Sequence, residues 1–210
     1  MTRQLTCALL ILLCVSLGRA QDAKDKKEEK STPPNYYPLQ AGNEWHYQVT
    51  ANNQAAKVTT RIAKVETIDG TPMARLETSS GPINEHLIQN DKGVFRTRFN
   101  GAEISPPFQV IPYPVKLGAK WKGNFTVLGE KGKHDYVGEI GPKEEMVTVP
   151  AGKFQAIRVR LTLEENGQQS DSTFWFAKNI GIVKQEVSAP GAMFTLELEK
   201  FESKKKENAK

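Results

Sequence analysis

The chain carries three histidines, His46, His86 and His134. Imidazole is the usual general base and the commonest metal ligand, so each is a possible centre of chemistry. None stands at short spacing from a second ligand type, as a helical zinc motif requires. His134-Asp135 can join a site only if the fold gathers further ligands around it. His46 and His86 read as exposed partners of strand neighbours. The carboxylates Glu139, Glu144 and Glu145 are candidates for paired acid–base work by location alone, since glycoside hydrolysis needs two carboxyl groups held at a fixed separation. Acids exposed on strands and turns account for them equally well. There is no G-x-S-x-G nucleophile elbow, and Gly129-Glu130-Lys131-Gly132-Lys133 lacks the spacing of a phosphate-binding loop. The residues therefore assign no catalytic side chain, no metal and no cofactor.

Compartment is more legible than reaction. Arg3, the apolar run Leu5 to Leu17 and the small residues of Gly18-Arg19-Ala20 form a secretory signal, with cleavage expected after Ala20. The apolar run is short for a membrane span. Cys14 follows Leu12 and Leu13, which are bulky where a lipidation signal carries small residues. Both cysteines, Cys7 and Cys14, fall inside the signal, so the mature chain is expected to hold no thiol, no disulfide and no transmembrane span. An exported protein follows, in the periplasm, at the cell surface or outside the cell. Residues 21–34 are expected to be a disordered spacer, 35–202 one antiparallel β-domain and 203–210 a disordered basic tail. The net charge of +5 includes Arg3 and Arg19 in the signal and a tail of four lysines against one glutamate. The domain between is close to neutral, which argues against a nucleic-acid partner.

The elements that would position any site read as strands. Trp45, Tyr47 and Val49 alternate with polar residues, and Ile157, Val159, Leu161 and Leu163 share one face against Arg158, Arg160 and Thr162. Strand runs recur at roughly ten-residue spacing with turn signals such as Asp69-Gly70, Asn100-Gly101 and Pro190-Gly191 between them, and no long stretch has helical periodicity. A bulge or strong twist is expected at Val65, and Gly141-Pro142 is expected to end a strand. Phe174-Trp175-Phe176 places bulk on both faces of a strand. Pro106, Pro107, Pro112 and Pro114 lack ladder donors, so residues 100–115 are expected to form an irregular crossing segment, either a cover or a binding lip. The segment Y-P-x-x-x-G-x-x-W occurs twice, from Tyr37 to Trp45 and from Tyr113 to Trp121. Each is expected to turn the chain at glycine and anchor it in the core by tryptophan. The fold class is all-β: a single strongly curved antiparallel sheet or partly closed barrel of about twelve strands, with a two-sheet sandwich as the alternative. Such a sheet can enclose a cavity. Tyr47, Phe95, Phe108, Tyr113, Trp121, Tyr136 and Trp175 are its candidate liners, and structural core is the competing role for each.

Val147-Thr148-Val149-Pro150-Ala151-Gly152-Lys153-Phe154, then Thr173-Phe174-Trp175-Phe176-Ala177, then Gly181-Ile182-Val183-Lys184 resembles the order of motifs in exported bacterial β-domain proteins of unknown function. Gly118 and Trp121 also fit, and the resemblance runs from Tyr36 to Phe201. It implies a periplasmic or cell-surface β-domain, such as a half-barrel related to lipid or lipoprotein carriers, and it implies no catalytic residue. A non-enzymatic exported binding or structural domain is the leading functional expectation. A carrier of a lipid or other apolar molecule and a hydrolase of unfamiliar type are the alternatives. The expected partners are an apolar small molecule or an envelope protein.

Overall fold

The computed structural model describes residues 35–204 apart from 53 and 166. The expected signal peptide, spacer and most of the basic tail lie outside the described residues. Twelve strands follow in chain order: β1 (Glu44–Ala51), β2 (Gln54–Ile68), β3 (Thr71–Thr78), β4 (Asn84–Asn90), β5 (Gly93–Phe99), β6 (Ala102–Pro112), β7 (Lys120–Val127), β8 (His134–Val149), β9 (Gly152–Glu165), β10 (Gln168–Ala177), β11 (Gly181–Ala189) and β12 (Ala192–Glu202). Each pairs antiparallel with its sequence neighbours, and β1 pairs with β12 to close a barrel. The sheet is thus a closed barrel of antiparallel strands and not a sandwich.

Alternation sets which side chains enter. On β9, Ile157, Val159 and Leu161 are buried while Arg158 and Arg160 face solvent. On β10, Phe174 and Phe176 point inward. Trp175 lies on the outer face, where its indole donates to Glu145 (3.2 Å) and lies under the Lys184 ammonium (5.1 Å).

The twin segments are built alike. Gly42 and Gly118 adopt φ of 88° and 77°, a region that penalises any side chain. Asn43 N–H donates to the Gln40 carbonyl and Ala119 N–H to the Lys116 carbonyl, each at 3.1 Å. Each glycine N–H then bonds to a strand across the turn, Gly42 to Ile62 and Gly118 to Gly141. Both indoles donate to a backbone carbonyl: Trp45 to Ile180 (2.6 Å) and Trp121 to Gln109 (3.3 Å). Trp45 is 1% exposed and Trp121 half-buried, so the first anchor is the deeper.

Three details depart from the sequence reading. Residues 102–112 form a strand despite their prolines. β6 tolerates them because its register with β5 breaks between Arg96 and Arg98, and it pairs with β7 only through Ile104–Val127 and Ser105–Thr126. The ladder thus asks little of Pro106 and Pro107. Gly141-Pro142 does not end a strand; it sits in a register shift between Ile140 and Glu144 that bends the long β8. The irregularity in β2 falls between Ile62 and Lys64, ahead of Val65.

Candidate functional site

Side chains fill a barrel of about eight strands, and larger ones leave space. Here one end is closed. Tyr37 packs edge-on against Trp45 (6.2 Å) and Phe176 (5.8 Å), and Trp45 stacks on Phe201 (5.3 Å). Asn179 N–H holds the Asn35 carbonyl (2.7 Å), fixing the entering chain to the β10–β11 turn. The β8–β9 turn reaches over to β12 through Ala151 N–H and the Leu198 carbonyl (2.8 Å). Above this floor lies a cavity of about 450 Å³, within the range of about 300–1,000 Å³ usual for small-molecule sites. Leu87, Ile104, Phe108, Val110, Phe125, Leu161 and Phe174 give it an apolar wall. Phe99, Glu130, Glu165 and Phe194 border it near the opposite strand ends, where the β5–β6, β7–β8, β9–β10 and β11–β12 turns lie.

The wall also carries polar side chains, among them Ser172, Gln185 and His134, and one ion pair. Arg96 Nε donates to Glu85 Oε2 at 2.8 Å, with the side chains 30% and 15% exposed. The Arg96 guanidinium also lies 5.7 Å from the Phe108 ring centre and 5.9 Å from that of Phe99. Among the described residues no acceptor engages its two terminal nitrogens or the Tyr37 hydroxyl. Burial pushes the Tyr37 hydroxyl's pKa far up, with the Glu85 charge adding to the shift and Arg96 opposing it. Tyr37 is therefore a protonated donor. Glu85 accepts from Arg96 through Oε2, and the donors of this cluster are the Arg96 terminal nitrogens and the Tyr37 hydroxyl.

The seven residues singled out from the sequence are dispersed. Phe108 borders the cavity. Tyr47 faces a smaller recess of about 170 Å³ beside Trp45, and its hydroxyl donates to the Ile182 carbonyl (2.8 Å). Tyr136 and Trp121 stitch the weak seam between β6 and β7. Gln109 N–H donates to the Tyr136 hydroxyl (3.3 Å), and the Gln109 carbonyl accepts from Trp121. Glycines opposite make room: a Cβ on Gly123 would lie 2.6 Å from the Tyr136 hydroxyl, and one on Gly138 would lie 2.1 Å from the Trp121 ring. Tyr113 is half-buried and receives Gln89 Nε2 at its hydroxyl (3.2 Å). Phe95 is half-buried and Trp175 lies outside, neither bordering the cavity. Tyr37, Glu85 and Arg96 were not singled out. An arginine on an alternating strand reads as solvent-facing, and a glutamate across from it gives no pairing signal until register is known.

The acids weighed for hydrolysis are matched by cations. Glu139 pairs with Lys120 (3.4 Å), Glu144 with Lys178 (2.8 Å) and Glu145 with Arg158 (3.6 Å). Glu139 shares an outer-face groove with Asp171 and Glu186. Burial raises the Asp171 carboxyl, but donors from Arg160, Thr162 and Gln169 outweigh that and hold it below its usual range. A general acid needs the opposite shift. His86, expected exposed, is buried and meets Glu66 at 2.8 Å.

A family described as DUF3108-like matches residues 142–190, from the bend in β8 to the end of β11. This span includes the Val147–Phe154, Thr173–Ala177 and Gly181–Lys184 motifs. No curated protein matches the chain. Among solved structures, a "putative lipoprotein" from Parabacteroides distasonis and a "putative exported protein with YmcC-like fold" from Bacteroides fragilis each align at a TM-score of 0.46 and 14% identity, over 81% of this chain and 100% of theirs. The "hypothetical lipoprotein YmcC" of Escherichia coli aligns at a TM-score of 0.41 and 10% identity, over 77% of this chain and 86% of its own. Among the described residues no helix is long and apolar enough to cross a membrane.

Proposed function

We propose that the protein is an exported, non-catalytic binding domain that holds one amphipathic small molecule in the barrel. The carrying observation is the cavity of about 450 Å³, lined largely by apolar side chains and bordered by the Tyr37, Glu85 and Arg96 cluster. The apolar body of the ligand would lie against Phe108, Phe125, Leu161 and Phe174. Its polar end would be rich in acceptors, as a carboxylate or phosphate ester is, because Arg96 and Tyr37 offer N–H and O–H groups. Apolar burial supplies affinity at about 25 cal/mol per Å², and the donors fix orientation. Export is supported by the signal-like residues 1–20.

The test is titration of the purified, delipidated protein with a fluorescent long-chain fatty acid. One saturable site is expected, with micromolar or tighter affinity. Weak, non-saturating uptake that is unchanged by Leu161→Trp, a substitution that fills the cavity, would remove the proposal.

A further inference from the structure

His134 opens β8, and its ring is only 5% exposed. It stacks on Phe125 with ring centres 4.9 Å apart and planes 11° from parallel, which fixes its orientation. Neither ring nitrogen has a hydrogen-bond partner among the described residues. An imidazole buried in that state forfeits the bonds it made to water. Two carboxylates nevertheless stand beside it. Glu130 Oε2, from the β7–β8 turn, lies 3.4 Å from Nε2, and Glu165 Oε2, at the end of β9, lies 3.7 Å from Nδ1.

The other two histidines each leave one ring nitrogen unsatisfied, His46 Nε2 and His86 Nδ1, but hold a partner at the other. His46 contacts Thr59 Oγ1 (3.2 Å) and Glu44 (3.0 Å), and its more distant acid, Glu202, is paired with Lys200. His86 holds Glu66 at 2.8 Å, and Lys64 neutralises that carboxylate (2.6 Å). Glu130 and Glu165 have no lysine or arginine partner among the described residues. Two uncompensated acids converge on one buried, unsatisfied imidazole. A cation with an appetite for nitrogen as well as oxygen would satisfy both the ring and the two acids.

We propose that Glu130, His134 and Glu165 bind a divalent transition-metal ion of the zinc class at the mouth of the cavity. One ligand atom from each residue already lies within 4.8 Å of the other two. Zinc bonds of about 2.1 Å place tetrahedral ligands about 3.4 Å apart. Glu130 and Glu165 stand beside opposite ring nitrogens, so the ion would take one nitrogen, and the half-exposed carboxylates (55% and 50%) would rotate about their own bonds to reach it while His134 stays packed. One nitrogen with two carboxylate oxygens suits zinc, whereas calcium and magnesium require a larger set of oxygens. A bound ion would tie the β7–β8 turn to the end of β9 and so brace the rim through which a ligand enters.

The experiment uses untagged, chelator-treated protein titrated with zinc chloride by calorimetry and by thermal unfolding. One zinc per chain is expected, with Tm rising by about 5–10 °C at free zinc one hundredfold above Kd. Magnesium at the same concentration should leave Tm unchanged. Glu130→Gln and Glu165→Gln change exposed side chains, so both should fold, and each should weaken zinc at least tenfold. His46→Ala should bind as the parent does. Absence of zinc heat and Tm shift in the parent overturns the site, as does undiminished binding in both glutamine variants. Fatty-acid uptake is read separately, so either result leaves the cavity proposal standing or falling on its own test.

Discussion

Replacing Arg96 by methionine tests the charged cluster in the cavity. The substitution keeps length and removes the guanidinium, leaving the Glu85 carboxylate, 15% exposed, without its 2.8 Å partner. Breaking a fully buried ion pair costs about 3–5 kcal/mol. Both groups keep some access to the cavity, so a smaller cost of about 2–3 kcal/mol is expected at pH 7. Loss of the contacts to Phe99 and Phe108 adds about 0.5–1 kcal/mol. In Arg96→Met/Glu85→Leu no charge is stranded, and stability should return to within about 1 kcal/mol of the parent. Urea unfolding followed by circular dichroism measures all three proteins. Both variants should also lose at least tenfold in affinity for a fatty acid, because its carboxylate has lost the arginine donors. A single variant as stable as the parent, or a double variant no more stable than the single, would refute the reasoning.

Three further outcomes are expected. Gly123→Ala should cost about 2–3 kcal/mol, because its Cβ would meet the Tyr136 hydroxyl at 2.6 Å and strip Gln109 N–H of its acceptor; in a Tyr136→Ala background it should be nearly neutral, a coupling that a double-mutant cycle in urea reads directly. Trp45→Phe should cost about 2–3 kcal/mol, since it opens a void in the floor and leaves the Ile180 carbonyl without its 2.6 Å donor; the midpoint of thermal unfolding measures it. The Glu66 carboxyl is held down to about 2 by donors from Lys64 and His86. Its folded pKa lies below the unfolded value of about 4.3, so its stabilisation is complete above that value and disappears as pH falls toward 2. Glu66→Gln should therefore flatten the acid limb of a urea-midpoint profile taken between pH 6 and pH 2.

The strands were legible where one face is buried and the other wet. β9 reads directly as Ile157, Val159 and Leu161 against Arg158 and Arg160, and the paired Gly42 and Gly118 turns read from residue type alone. Three features were not legible. β6 contains prolines that a central strand forbids, and it survives because its two flanks are irregular, a fact about its neighbours. Tyr136 and Trp121 have the composition of cavity liners but act across Gly123 and Gly138, which only register brings opposite them. Arg96, Glu85 and Tyr37 come from two strands and the entering chain, so no spacing in the sequence announces their meeting. The same holds for Glu130, His134 and Glu165, which are contributed by a turn and two strand ends.

Native mass spectrometry of the protein, purified from its own source without detergent, bears most directly on the binding proposal. The account predicts one bound amphipathic molecule per chain, released on collisional activation, and loss of that adduct in Leu161→Trp. A bare chain mass from the native source, together with no saturable uptake of a fatty acid by the delipidated protein, would contradict it.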